Sequence, residues 1–252
     1  MNFVDCDDLD EAIEQYKAEG YRLDMIKPAD APREALVSRD GETTKLVKRM
    51  KDEGGSVKKD ALHTSSLIPH PSWVTGRAGM EYRDLIPDRM GGKLIASHIR
   101  LTKGGEVPDY VHYHKVDFQM IYCKKGRIKV VYEDQGPPFW LETGDCVLQP
   151  PEIRHRVLEC TAGAEVIEVS SPAEHETWVE HDIKLPNGTI NPDRIFGTQR
   201  FVRLIGAKSG ETPVDIGEQL AAFSKIFAHD KCITALIQKI TPLIQKILAT
   251  VR

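Results

Sequence analysis

Between residues 93 and 170 the chain alternates short apolar runs with breaks built from glycine, proline and aspartate. The runs span 93–101, 111–115, 119–124, 127–133, 139–142, 146–149, 155–159 and 165–170, and the breaks include Lys103-Gly104-Gly105, Lys124-Lys125-Gly126, Thr143-Gly144-Asp145 and Thr161-Ala162-Gly163. No helical period interrupts them. Eight short strands at this spacing predict a mainly β fold, an antiparallel sandwich or jelly-roll barrel.

The flanks read differently. Asp7 or Asp8 caps a helical pattern through Leu9, Ala12, Ile13 and Tyr16 that stops at Gly20. Residues 34–38 and 43–49 flank Arg39-Asp40-Gly41-Glu42, where Asp-Gly signals a hairpin. Residues 50–61 are charged and glycine-bearing, as in a surface connection. From Trp73 to Pro87 polar side chains gather (Arg77, Glu81, Tyr82, Arg83, Asp84). This segment either drapes over a pocket and contributes an anion-binding arginine or is a loop held by surface ion pairs. After Pro172 the pattern loosens, with one more strand at 200–205. Near the end Leu236-Ile237-Gln238-Lys239-Ile240 recurs seven residues later as Leu243-Ile244-Gln245-Lys246-Ile247, with Pro242 between. Apolar positions 236, 240, 243 and 247 make a stripe that packs on the barrel or on a second subunit. The expected division is an N-terminal arm of helix and hairpin (1–92), a barrel (93–171) and a C-terminal extension ending in an amphipathic helix (172–252).

Charge narrows the function classes. A net charge of -4 with intermixed signs leaves no basic face, so nucleic acid is not an expected partner. No run approaches the ~18 apolar residues of a membrane span, and the acidic start is unlike a signal peptide; the expectation is a cytoplasmic protein. Cys6, Cys123, Cys146, Cys160 and Cys232 are odd in number and scattered, which fits reduced thiols.

Candidate chemistry lies in Val111-His112-Tyr113-His114 and in Pro150-Pro151-Glu152-Ile153-Arg154-His155. On a strand, His112 and His114 point the same way and Tyr113 points away. His155 adds a third nitrogen if its strand faces theirs across a barrel. Neutral imidazoles with positions left open for substrate suit a divalent transition metal. Weak acid–base candidates are His98, Glu81, Tyr122 and Asp117, while Arg154 either grips a substrate carboxylate or faces solvent. His63, His70, His175, His181 and His229 have no metal-site spacing and read as surface residues.

These residues resemble the two motifs of the cupins. The first family motif is Gly, five residues, His-x-His, three or four residues, Glu, six residues, Gly. Here Gly105 stands six residues before His112, Gln119 follows His114 after four, and Gly126 comes six later. The second motif is Gly, five residues, Pro-x-Gly, two residues, His, three residues, Asn; the chain has Gly144, Pro150, Glu152 in place of Gly, His155, and Glu159 in place of Asn. The resemblance implies a small jelly-roll barrel in which His112, His114 and His155 bind a metal and Gln119 takes the place of a metal-binding Glu. An amide brings no charge, so the ion would keep its own and favour anionic substrates. Asp117 shares the face of Gln119 in a shifted register. The resemblance further implies Fe(II), with Zn, Ni or Mn as alternatives; oxygenase chemistry on a small organic anion, with isomerase or lyase chemistry or a non-catalytic binding module as alternatives; and a homodimer.

Overall fold

The structure, a computed structural model, describes residues 1–49, 72–86, 88–206, 212, 214–226, 228, 231, 234–235, 237–239 and 241–242. The connection at 50–61, Pro87, His63, His70, His229, Cys232 and the stripe positions 236, 240, 243 and 247 lie outside these residues.

The arm contains β1 (Asn2–Cys6), α1 (Leu9–Ala18), β2 (Arg22–Lys27), β3 (Glu34–Arg39) and β4 (Glu42–Lys48). Asp8 caps α1 by accepting from the Glu11 backbone N–H at 3.0 Å. Between β3 and β4, Asp40 (φ 51°) and Gly41 (φ 82°) both take the left-handed conformation that a tight two-residue hairpin requires. Leu9 and Ile13 bury against Leu23, Ala35, Val37 and Leu46, giving the arm a core of its own.

Strands β5 (Val74–Thr75) and β6 (Glu81–Asp84) lead into the predicted barrel region: β7 (Ile95–Leu101), β8 (Gly105–Glu106), β9 (His112–His114), β10 (Phe118–Lys125), β11 (Arg127–Tyr132), β12 (Phe139–Glu142), β13 (Cys146–Leu148), β14 (His155–Cys160) and β15 (Ala164–Ser171). Each of the eight expected strands forms, within a residue or two of its expected ends. Beyond them come β16 (Thr177–Val179), β17 (Ile195–Phe196), β18 (Gln199–Arg200), β19 (Val202–Leu204) and α2 (Ile216–Ile226). The strand expected at 200–205 is thus broken by Phe201, which turns inward to pack at a tilt on Tyr132, ring centroids 4.6 Å apart.

Two large sheets result, one ordered β1-β4-β3-β2-β16-β9-β14-β11-β12 with β8 on β14, the other β19-β13-β10-β15-β7-β6-β5. They face each other across one apolar core: Ile99, Ile121, Cys123 and Val166 from one sheet meet Ile128, Val130, Tyr132 and Leu141 from the other. The fold is mainly β and antiparallel, with the jelly-roll character expected and with helices at its edges.

Strand alternation explains a second core. On β10, Gln119, Ile121 and Cys123 point into the sandwich, whereas Phe118, Met120 and Tyr122 point outward. There Ile216, Leu220 and Phe223 of α2, spaced along one helical face, cover them. Each such buried side chain contributes roughly 1.5–3 kcal/mol. The arm is joined more closely than sequence suggested, because β16, from the C-terminal extension, pairs on one side with β2 and on the other with β9. A single sheet therefore runs from the arm through β16 to the strand that carries His112 and His114.

Candidate metal centre

His112 and His114 point inward from β9 as the alternation requires, and both are buried. His155 does not face them from across the barrel. It heads β14, the hydrogen-bonded neighbour of β9, directly opposite His112 in register. Side-by-side placement brings the three rings together, with centroids 4.2 Å (His112–His155), 5.0 Å (His112–His114) and 5.2 Å (His114–His155) apart. One nitrogen from each lies within 4.8 Å of the others, and among the described residues this is the sole such cluster of metal-ligating side chains.

The other ring nitrogen of each is held. Nδ1 of His112 donates to the Tyr110 carbonyl (2.8 Å), that of His155 to the Ile153 carbonyl (2.9 Å), and that of His114 meets the Thr177 hydroxyl (2.9 Å). A carbonyl accepts only, so in His112 and His155 the proton is fixed on Nδ1 and Nε2 carries the lone pair, unpartnered in His112 and facing the Gln149 amide in His155. Nε2 of His112 is buried with no hydrogen-bond partner. Burial holds the pKa of all three imidazoles low, that of His155 at about 4, and the nearby Arg77 lowers them further. They are neutral at pH 7. An orphaned buried lone pair, neutral rings and oriented tautomers together fit a divalent cation.

A chain of amides runs beside the histidines. Gln149 donates from Nε2 to Gln119 Oε1 (3.0 Å), lies 3.3 Å from His155 Nε2, and accepts on Oε1 from the Tyr132 hydroxyl (2.5 Å). Gln119 in turn donates to Glu168 Oε1 (3.1 Å), which also accepts from Ser170 (3.1 Å). Gln119 thus stands inside the sandwich next to the cluster, with its carbonyl oxygen engaged by Gln149. Sequence reasoning missed Gln149 and Glu168. The signal was available, since Glu168 shares the inward face of its strand with Val166.

A cavity of about 50 Å³ opens beside the histidines, lined by His114, His155, Gln149, Tyr132, Glu168 and Arg77 among apolar walls. A larger groove of about 710 Å³ lies on the other face of β9 and β16, lined by Tyr113, Trp178 and the β3–β4 hairpin. Several of its charged residues are already paired, Asp24 with Arg22 and His181, and Glu180 with Arg154. The small cavity is where the chemistry-bearing groups converge.

The acid–base residues singled out from sequence all fall elsewhere. His98 faces outward from β7 between Arg83 (2.9 Å) and Glu165 (2.8 Å), with burial holding its pKa at about 4. Glu81 pairs with Arg100, and Tyr122 donates to the Val214 carbonyl under α2. Asp117 is exposed at the start of β10, so the shifted register in which it replaces Gln119 does not occur. Arg154 bonds Glu180 (3.0 Å) and stacks over Tyr113 on the outer face. For His98, Glu81 and Tyr122 strand parity sends the side chain away from the cavity, whereas Asp117 lies before β10 begins and is exposed. His175, expected on the surface, is instead buried: its ring meets His114 edge-on at 5.3 Å, its Nδ1 bonds the Pro172 carbonyl, and its Nε2 has no partner.

Residues 97–170 match the Cupin domain family. Among solved structures, an RmlC-like cupin from Shewanella frigidimarina is 28% identical over 41% of this chain and 85% of its own, with a TM-score of 0.34. An oxalate decarboxylase variant from Bacillus subtilis is 23% identical over 37% of this chain, with a TM-score of 0.31. The match spans about a quarter of that enzyme (26%). No curated protein matches the chain.

Proposed function

The protein is a member of the cupin superfamily, and on that premise we propose that it is a metal-dependent enzyme acting on a small organic anion. The observation that carries this reading is the convergence of three buried imidazoles whose tautomers are set by Tyr110, Ile153 and Thr177, with the Nε2 of His112 left unpartnered. His112, His114 and His155 would hold the ion. Gln119 and Gln149 stand beside it, and an amide oxygen released from the Gln149–Gln119 bond would make a fourth, weaker ligand. A divalent ion there supplies Lewis acidity, and Fe(II), the leading candidate over Zn, Ni and Mn, would add oxygenase chemistry; isomerase or lyase chemistry needs the Lewis acid alone.

The chain's own residues bind and orient. Apolar residues line most of the cavity, neutral imidazoles leave any bound cation uncompensated, and Arg77, although paired with Asp109, keeps an unpartnered Nε–H, so an anion is favoured beside the ion and away from Glu168. A second reading is a non-catalytic module that binds metal and a small molecule: His98, Glu81, Tyr122 and Asp117 all lie away from the cavity, leaving Glu168 as the carboxylate that lines it. We further propose a homodimer.

Elemental analysis of full-length protein purified without chelator or affinity tag tests the metal, and oxygen uptake with small carboxylates separates the readings. Iron with substrate-dependent oxygen consumption supports the oxygenase. Metal without turnover on any carboxylate supports the binding module. Protein that takes up no divalent ion on titration refutes both as stated.

A further inference from the structure

Among the described residues Arg77 is the one strong cation lining the cavity, and its placement is built rather than incidental. It follows Gly76, where a Cβ would come within 2.8 Å of the Tyr82 ring and of the Asp30 carbonyl, so only glycine lets the backbone pass this close. It precedes Ala78, which sits at φ 55°, a left-handed conformation that a non-glycine residue adopts at a cost in strain. The side chain is 9% exposed, and its guanidinium pairs through Nη1 with the fully buried Asp109 carboxylate. Asp109 also accepts from the backbone N–H groups of Tyr110 and Val157, each at 3.0 Å, so its charge is well held. Burial opposes a charge on Arg77, but Asp109 raises its pKa overall and it stays cationic. Yet its Nε–H is buried with no acceptor, a costly omission in a residue otherwise so fully placed.

On the same cavity, Glu168 has one carboxylate oxygen occupied by Gln119 and Ser170, while no hydrogen bond engages the other among the described residues. The remaining wall is largely aliphatic, including Ile99, Leu101 and Val130. About 50 Å³ is room for roughly three to five waters' worth of atoms at 10–15 Å³ each.

Resting on the reading of this cavity as the substrate site, we infer that its ligand is a two-carbon hydroxycarboxylate. Its carboxylate accepts from Arg77 Nε and its hydroxyl donates to the free oxygen of Glu168. A monoanion with a donor satisfies both groups. A dicarboxylate such as oxalate would set its second charge against Glu168, and a plain short-chain acid would leave Glu168 unpaired; both are disfavoured.

The test is calorimetric titration of full-length protein, metal-free and Co(II)-loaded, with glycolate, acetate and oxalate. Glycolate is expected to bind at least tenfold more tightly than either competitor. Glu168→Gln should shrink the preference over oxalate to less than threefold, and Arg77→Gln should weaken all three ligands at least tenfold. Because Arg77→Gln strands Asp109 and can unfold the chain, Arg77→Lys is the companion: it keeps the charge, loses the Nε donor, and should still weaken glycolate several-fold with an unchanged circular dichroism spectrum. Oxalate or acetate binding as well as glycolate, indifference to Glu168→Gln, or no glycolate binding to either form overturns the inference. Co(II) uptake distinguishes this from failure of the metal reading, because a protein that binds Co(II) yet ignores these substitutions retains its metal site and loses only the proposed ligand.

Discussion

His112 and His155 stand directly opposite each other on adjacent antiparallel strands, with ring centroids 4.2 Å apart. The pairing makes the cluster a property of strand register. A one-residue slip between β9 and β14 would turn either imidazole out of the cavity.

His155→Ala should therefore remove most metal occupancy, because it deletes one of three nitrogens while leaving the backbone ladder intact. Metal content by elemental analysis, with the melting temperature as a check on folding, measures it. Occupancy equal to the parent protein's would take His155 out of the site.

Thr177→Val keeps shape but removes the hydroxyl that meets His114 Nδ1 in a fully buried position. Loss of such an orienting partner typically weakens metal affinity about 10–100-fold. A competition titration against a chelator reads the change; an unaltered affinity would mean that β16 does not orient the ring.

Gln119→Glu has opposite expected effects in two states. Without metal it replaces an amide that donates to Glu168 with a second carboxylate, which should destabilise the protein by roughly 1–3 kcal/mol. With metal it supplies a negative ligand and should tighten binding. Denaturant melts of the two forms, run in parallel, separate the effects, and Gln119→Ala should weaken metal binding only modestly.

Acid should destabilise the metal-free protein. His98 and His155 have folded pKa values of about 4, depressed chiefly by burial, against about 6.5 in an unfolded chain. The unfolded state therefore takes up protons first as pH falls. The stabilisation is complete above pH ~6.5 and is lost between there and pH ~4, by up to about 3 kcal/mol for each group. Melting temperatures across this window should fall as pH is lowered; a flat profile would contradict neutral buried imidazoles.

Light scattering is expected to report a dimer. Truncation after Lys231 tests whether the repeat around Pro242 takes part, and a dimer that survives truncation removes the repeat from the interface.

How much of this was legible beforehand follows from the range of the forces involved. Strand positions, the α1 cap, the Asp40-Gly41 turn and the inward direction of His112 and His114 are set by neighbours a few residues apart, and each is readable in the sequence. The i, i+2 spacing of the two histidines fixes their shared face wherever the strand lies. Which strand lies beside which is decided by long-range pairing, so His155 was expected across the barrel and is found alongside. The same cause sent His98, Glu81, Tyr122 and Arg154 to the outer faces, because a polar residue's strand parity acquires meaning only once the covered face is known. Glu168, Gln149 and Thr177 had no motif to mark them; they matter because β10, β13, β15 and β16 are brought to one cavity. Arg77 shows the division most clearly. The sequence offered an arginine in a polar segment, and only the close pass of Gly76 over Tyr82 and the buried partner Asp109 place its charge beside the three histidines.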